Sequence, residues 1–292
     1  MESLNRTKSK RVPYIPPLAD RLFIGISNLN CMDIHSYPRF LTVNSKPFDP
    51  IQLAKQTERI VCRGDARKYT AFYATGVYGG IATGYIVGCC LRCYFCWTSF
   101  SRDFPEFFGK FFKAERAMEL LRSTARKYGV NKVRISGGEP TLCKHHLLKL
   151  LENFQETDLK IFILETNGIL LGADRDYVRR ISTFDRVHVR VSLKAGDPAA
   201  FTKRTGAIQK AFYLPFKAIE NLLDYNVSFH VAAMTDPRIM PKHERRTLLE
   251  ILAEIDPVVA ANLEEELCDP YEATLVRMAA YGIDPVRFFK HE

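Results

Sequence analysis

The sequence predicts an α/β fold: a parallel sheet with helices outside it, closed or partly closed as a barrel. Three observations carry that expectation. From Thr83 onward, six short apolar runs alternate with stretches of helical periodicity, the pattern of successive βα units. The unusual polar motifs of this region fall at the C-terminal ends of the predicted strands, where loops converge in such folds. A chain of 292 residues that is 47% hydrophobic is also long enough to bury a sizeable core.

Taken in order, residues 1–80 show no clean period. They contain Pro13, Pro16, Pro17, Pro38, Pro47 and Pro50 and two isolated cysteines, Cys31 and Cys62, and read as a basic N-terminal extension packed on the core. Tyr69 to Tyr78 is aromatic and β-prone, which suits an edge hairpin. The first strand of the repeat is Gly84 to Val87. Ala114, Ala117, Met118 and Leu121 then recur at helical spacing, and the helix stops near Gly129. Val133–Ile135 is the second strand, and Leu147, Leu148 and Leu151 mark the next helix. Ile161–Leu164 is the third strand, followed by a helical stretch at Tyr177–Ile181. Val187–Leu193 alternates as the fourth strand, and Phe216, Ile219, Leu222 and Leu223 mark the helix after it. Val227–Ala233 is the fifth strand, Leu248, Ile251 and Leu252 the next helix, and Val258–Leu263 the sixth strand. Helices near Tyr271–Tyr281 and Pro285–Phe289 finish the chain.

Charge and hydropathy narrow the setting. No apolar run approaches the ~18 residues of a membrane span, and Met1 to Arg11 lacks the apolar core of a secretory signal. A cytoplasmic protein without membrane contact is expected. The net charge is +9, and residues 1–80 hold 12 Lys+Arg against 6 Asp+Glu. Arg6, Lys8, Lys10 and Arg11 form a basic leader, either a solvated terminus or a phosphate-contacting tail. Between Glu254 and Glu272 stand seven acidic residues and no basic one, so a nucleic-acid surface would avoid that stretch.

Reactive chemistry concentrates in Gly88-Cys89-Cys90-Leu91-Arg92-Cys93-Tyr94-Phe95-Cys96-Trp97, which holds four of the eight cysteines. Closely spaced thiolates on one loop suit a soft metal centre or an iron–sulfur cluster. Cys90, Cys93 and Cys96 would open a ferredoxin-type run, but the fourth cysteine that run requires is replaced by Phe100. Cys89, Cys93 and Cys96 give C-x3-C-x2-C with no fourth local thiolate, which leaves one iron open, as catalytic metal centres are. Structural zinc is the plain alternative, but no second C-x2-C or H-x3-H pair closes such a site; His145 and His146 stand alone. A disulfide framework fits less well, because crowded cysteines without a secretory signal point away from an oxidising compartment.

With Phe95 immediately before the last cysteine, this spacing resembles the signature of the radical S-adenosylmethionine (SAM) superfamily. Ser136-Gly137-Gly138-Glu139-Pro140-Thr141, on the next strand about 40 residues on, resembles that family's GGEP motif. The resemblance implies a partial (β/α)6 TIM-like barrel over residues 81–268, with 269–292 as a C-terminal helical tail. It implies a 4Fe–4S cluster on Cys89, Cys93 and Cys96, with Cys90 a bystander. SAM would be held by Phe95, Gly137, Gly138, Glu139 and Pro140, and by the polar tip Glu165-Thr166-Asn167-Gly168 through Thr166 and Asn167. Ser192 and Lys194, at the end of the fourth strand, would meet the SAM carboxylate. His230 either faces the cavity or is a hydrogen-bonded core histidine, and Asn262 is a candidate adenine contact. Cys143 and Cys268 are candidate catalytic thiols because both stand where a thiol could meet substrate; otherwise they are buried and inert, like Cys31 and Cys62.

The expected function is reductive cleavage of SAM to a 5′-deoxyadenosyl radical that abstracts hydrogen from a substrate. A low-potential flavodoxin or ferredoxin would supply the electron. Ser192-Leu193-Lys194-Ala195-Gly196-Asp197, with Thr202 to Gly206, leans toward the branch of glycyl-radical activases and molybdenum-cofactor biosynthesis. A large substrate is favoured, RNA modification first, because a six-unit barrel is open on one side and the N-terminal region is basic. The alternatives are a glycyl-radical-enzyme activase acting on a protein, a small-metabolite or cofactor-biosynthesis enzyme, and a non-catalytic iron–sulfur carrier or zinc-stabilised module.

Overall fold

The computed structural model describes residues 37–290. The basic leader, Cys31 and the first three prolines named above lie outside the described residues.

Helix α1 (Pro50–Val61) opens this region, with Asp49 as its N-cap and proline in its first turn. Strands β1 (Cys62–Arg63), β2 (Ala66–Thr75) and β4 (Lys110–Lys113) form an antiparallel flank, with β2 paired to both β1 and β4. The expected edge hairpin over Tyr69–Tyr78 is therefore a longer strand set inside the sheet, because β2 also pairs antiparallel with β3 (Ile81–Ile86). From β3 the sheet runs parallel through β5 (Lys132–Ser136), β6 (Ile161–Thr166), β7 (Val187–Leu193), β8 (Phe229–Met234) and β9 (Glu264–Glu266). These six parallel strands are the predicted (β/α)6 repeat. β9 pairs with β8 alone among the described residues, so the barrel is partial.

Helices cover the outer face. α2 (Ala114–Lys127) buries Ala114, Ala117, Met118, Leu121 and Ala125 along one stripe, with Glu115 in its first turn and Arg126 and Lys127 in its last, as the helix dipole favours. α3 (Lys144–Gln155) buries Leu147, Leu148, Leu151 and Phe154. α4 (Ile169–Ala173) and α5 (Arg175–Ile181) follow β6; α6 (Pro198–Thr205) and α7 (Tyr213–Asp224) follow β7; α8 (Lys242–Ile255) follows β8. α4 and α6 are short and lack an extended apolar period, which is why periodicity misses them. α10 (Glu272–Ala280) and α11 (Pro285–Phe289) end the described chain. No helix among the described residues is long and apolar enough to cross a membrane.

The sixth strand is a correction. Val258–Leu263 reads as an apolar strand, yet Pro257–Ala261 is helix α9, nucleated by the Asp256 side chain accepting from Val258 N with Pro257 at the first helical position. The strand is the charged Glu264–Glu266, in register with Ala232, Ala233 and Met234.

The two faces of the parallel sheet differ in character. Val133, Ile135, Phe162, Leu164, Val189, Val191 and Leu193 are buried on one face, beneath the helices. The other face presents Arg134, Ser136, Glu165, Arg190, Ser192, Met234 and Glu266, aligned by the register pairs Glu165 with Arg190 and Met234 with Glu266. A polar lumen inside an apolar shell is the scaffold for the site.

Candidate active site

The loop between β3 and β4 carries the cysteines, and the turn after β5 carries Gly137 and Gly138. The two segments touch. Glu139 N donates to Gly88 O at 2.8 Å, and a Cβ on Gly138 would sit 2.5 Å from that same oxygen. Only glycine permits this approach, and Gly137 adds a φ of +85° that other residues adopt at a cost.

One cavity opens at this contact. Its wall includes the three cysteines Cys89, Cys93 and Cys96 and, around them, Phe95, Gly137, Gly138, Glu139, Thr166, Asn167, Ser192 and Lys194. Sequence reasoning missed Arg190, Met234 and Glu266 on the same wall, and gave no role to Ser136 and Glu165, which stand in the two motifs and also line it. Arginines and glutamates in mid-strand carry no local motif, and only their register reveals them.

Cys90 is fully buried off this wall; Asn167 Nδ2 donates toward its Sγ at 3.3 Å. The hydrogen bond from Cys90 lowers the Cys89 pKa, while burial pushes Cys93 up to about 12; metal binding favours the thiolate of each. Among the described residues, no three of His, Cys, Asp and Glu stand close enough to hold a single metal ion. Three thiols on one cavity wall are the donor type that holds an iron–sulfur cluster. With side-chain-free backbone at Gly137 and Gly138 beside them, the donor set fits a 4Fe–4S cluster and a small chelating ligand.

Glu139 is hydrogen-bonded through both carboxylate oxygens. Its Oε1 accepts from Thr141 N, Thr141 Oγ1 and Thr166 Oγ1, and its Oε2 from Asn167 N. The carboxylate is thus a brace that ties the turn after β5 to the tip of β6. Thr166 Oγ1 donates into that brace from the cavity wall. Asn167 divides its side chain between the cysteines and Ile169 N at the start of α4. Ser192 Oγ donates to Glu266 Oε2 at 2.9 Å and accepts from Lys194 Nζ at 2.5 Å.

Five expected site residues lie off the cavity wall. Pro140 is buried behind the turn, where its carbonyl accepts from Arg67 Nη1 at 2.8 Å. Cys143 is bonded to Cys62 in a disulfide, so neither is a free thiol: the loop that follows the glycine turn brings Cys143 against the end of α1. Cys268 is a buried free thiol, 4.0 Å from Phe95 O on the far side of the cysteine loop, and burial raises its pKa to about 12. Asn262 is exposed at the end of α9, where its side chain donates to Val258 O, because the expected strand is a helix. His230 is half-buried deeper in the lumen, between His188 Nε2 at 2.6 Å and Glu264 Oε2 at 2.8 Å.

The lumen charges are linked to one another. Arg190 donates to Glu264 and Glu266, each at 2.8 Å. Glu165 accepts from Arg134 at 2.6 Å, Ser136 at 2.6 Å and Tyr78 at 2.8 Å. The acidic stretch seen in the sequence therefore turns two of its members inward.

The family model of the Radical SAM superfamily matches residues 84–254. Among curated proteins, a probable GTP 3',8-cyclase from Methanococcus maripaludis is 34% identical over 117 residues, 40% of this chain and 37% of that protein. A GTP 3',8-cyclase from Clostridium perfringens is 31% identical over 136 residues, 46% of this chain and 40% of that protein. The chain thus spans less than half the length of the curated relatives it matches. Among solved structures, the FeFe-hydrogenase maturase HydG from Carboxydothermus hydrogenoformans is similar at a TM-score of 0.48 and 12% identity, over 80% of this chain and 57% of that one. A radical SAM methyltransferase from Sphaerobacter thermophilus is similar at 0.46 and 12%, over 64% and 65%.

Proposed function

The chain belongs to the radical SAM superfamily, and from that premise we propose that Cys89, Cys93 and Cys96 hold a 4Fe–4S cluster, that SAM occupies the iron they leave free, and that a small metabolite binds in the lumen. The observation that supports this reading is the shared cavity of those three thiols and the Gly137-Gly138 turn. Bound there, cluster and SAM supply a 5′-deoxyadenosyl radical once a flavodoxin or ferredoxin has delivered one electron.

The rest is the work of the chain. The backbone of Gly137 and Gly138 offers carbonyls to the SAM amino group, and Lys194 offers a cation to its carboxylate. Phe95, Leu91 and Met234 give the cavity apolar wall that limits water around a reactive carbon. Glu165, Arg190 and Glu266 present donors and acceptors that orient the substrate deeper in the lumen.

A small metabolite is better supported than RNA, because the curated relatives are named for a cyclase of a nucleotide. Anaerobic reconstitution tests the reading: about four irons per chain and release of deoxyadenosine on reduction with SAM are expected, and Cys93→Ala abolishes both. Persistence of both in that variant refutes the ligand assignment. Adding GTP, a metabolite extract or cellular RNA in separate reactions then tests the substrate; a mass change in RNA alone would restore the RNA reading.

A further inference from the structure

Each of the three cavity cysteines has its backbone carbonyl held by a different buried arginine. Arg92 Nη1 donates to Cys89 O at 2.8 Å, Arg102 Nη1 to Cys93 O at 2.7 Å and Arg277 Nη1 to Cys96 O at 2.6 Å. All three are at most 2% exposed. Arg277 arrives from α10, 181 residues along the chain from Cys96, and also donates to Thr98 O and Ser99 O. Asp103, fully buried, lies between two of them: Oδ1 accepts from Arg102 and Oδ2 from Arg277.

This arrangement is expensive unless something offsets it. Guanidiniums are costly to hold out of water, and Asp103 balances only one of the two, Arg102 and Arg277, that it pairs with. A loop of ordinary turns could be satisfied by neutral donors. Thiolates on an iron–sulfur core carry net negative charge, and cluster potentials respond to nearby charge, to hydrogen bonding and to exposure. Two buried cations that share one carboxylate, each donating to the carbonyl of a cysteine, match that need.

We propose that Arg277, locked through Asp103 to Arg102, is a positioning residue that fixes the Cys93–Cys96 segment and raises the reduction potential of the cluster. The proposal rests on the three-cysteine ligation above. It makes the C-terminal helix part of the redox centre, although the helix supplies no ligand. Arg277→Lys keeps the charge and loses the fork that spans Cys96, Thr98 and Asp103; Arg277→Gln loses both; Asp103→Asn adds one net positive charge to the segment.

The test is a redox titration of the reconstituted holoenzyme followed by electron paramagnetic resonance, with iron and sulfide measured on the same samples. Arg277→Gln is expected to shift the midpoint to more negative values, Asp103→Asn to more positive ones, and Arg277→Lys to return toward wild type with an altered signal shape. Midpoints and signals unchanged in all three variants would overturn the proposal. If Arg277→Gln fails to load iron, Asp103→Asn still decides it: a more positive midpoint supports the proposal and an unchanged one overturns it. A wild-type chain that binds no cluster would instead refute the ligation on which the proposal stands.

Discussion

Cys89 and Cys90 are adjacent in sequence, yet one lines the cavity and the other is fully buried beside Asn167. Cys90→Ala is therefore expected to keep full iron content and lose about 1 kcal/mol of packing at most, whereas Cys89→Ala loses the cluster. Iron analysis of the two variants distinguishes the registers, and loss of iron in Cys90→Ala with retention in Cys89→Ala would reverse the assignment. His146 is a second case where environment decides. It is fully buried, with Nδ1–H donating to Asp65 O and Nε2 accepting from Tyr69 OH, and burial lowers its pKa from 6.5 to about 4. Its folded pKa lies below its unfolded one, so the unfolded chain binds the extra proton between those values. The stabilisation is complete above pH 6.5 and is lost as pH falls toward 4, about 3 kcal/mol in all. Urea midpoints across that window should fall in the wild type and flatten in His146→Gln. At this scale the sequence is legible where function is local, since C-x3-C-x2-C lies within one loop. It is mute where the partner is distant, as with Arg277 and Cys96.

Elements of this chain are set as much by their ends and neighbours as by their own pattern. Val258–Leu263 has strand composition, but Asp256-Pro257 caps it as a helix and passes the strand role to three glutamates. Glu264 and Glu266 stay because Arg190 and Ser192 on β7 reach across β8 to bind them, and Glu265 pairs with Arg245 on α8. Arg190→Met should remove the ion pairs to Glu264 and Glu266 and loosen β9. We expect a loss of roughly 2 kcal/mol, discounted from the value for a fully buried pair because Glu264 is half exposed. Thermal unfolding measures it, and an unchanged midpoint would show that β9 is held by its backbone pairing alone. The Cys62–Cys143 disulfide ties the end of α1 to the segment after the glycine turn. Cys143→Ser is expected to cost about 2–4 kcal/mol while SAM cleavage continues, because the thiol lies off the cavity. Loss of cleavage in a folded Cys143→Ser chain would return it to the candidate catalytic residues. No spacing rule announces that bond, since its two cysteines are 81 residues apart.

At the scale of the whole molecule, net charge and site charge diverge. The chain carries +9, which the sequence alone reads as an invitation to RNA. Inside the lumen, however, Arg134 is paired with Glu165 and Arg190 with Glu264 and Glu266, and the cavity wall carries Lys194 beside Glu139 and Glu266. Cations already bound to carboxylates have few counterions to release when a ligand enters, so electrostatic attraction adds little to binding there. A small substrate held by such paired groups should show a KM that changes by less than about threefold between roughly 50 and 200 mM salt. RNA contacting 6–10 phosphates would lose about 10³–10⁵ in affinity over the same range. Deoxyadenosine formation measured against substrate concentration at the two salt levels separates these outcomes. A steep salt response would move the substrate out of the lumen and onto the basic exterior. It would also mean that the charge balance of the strands, which becomes visible only once register pairs Glu165 with Arg190 and Met234 with Glu266, serves the fold and leaves recognition to the surface.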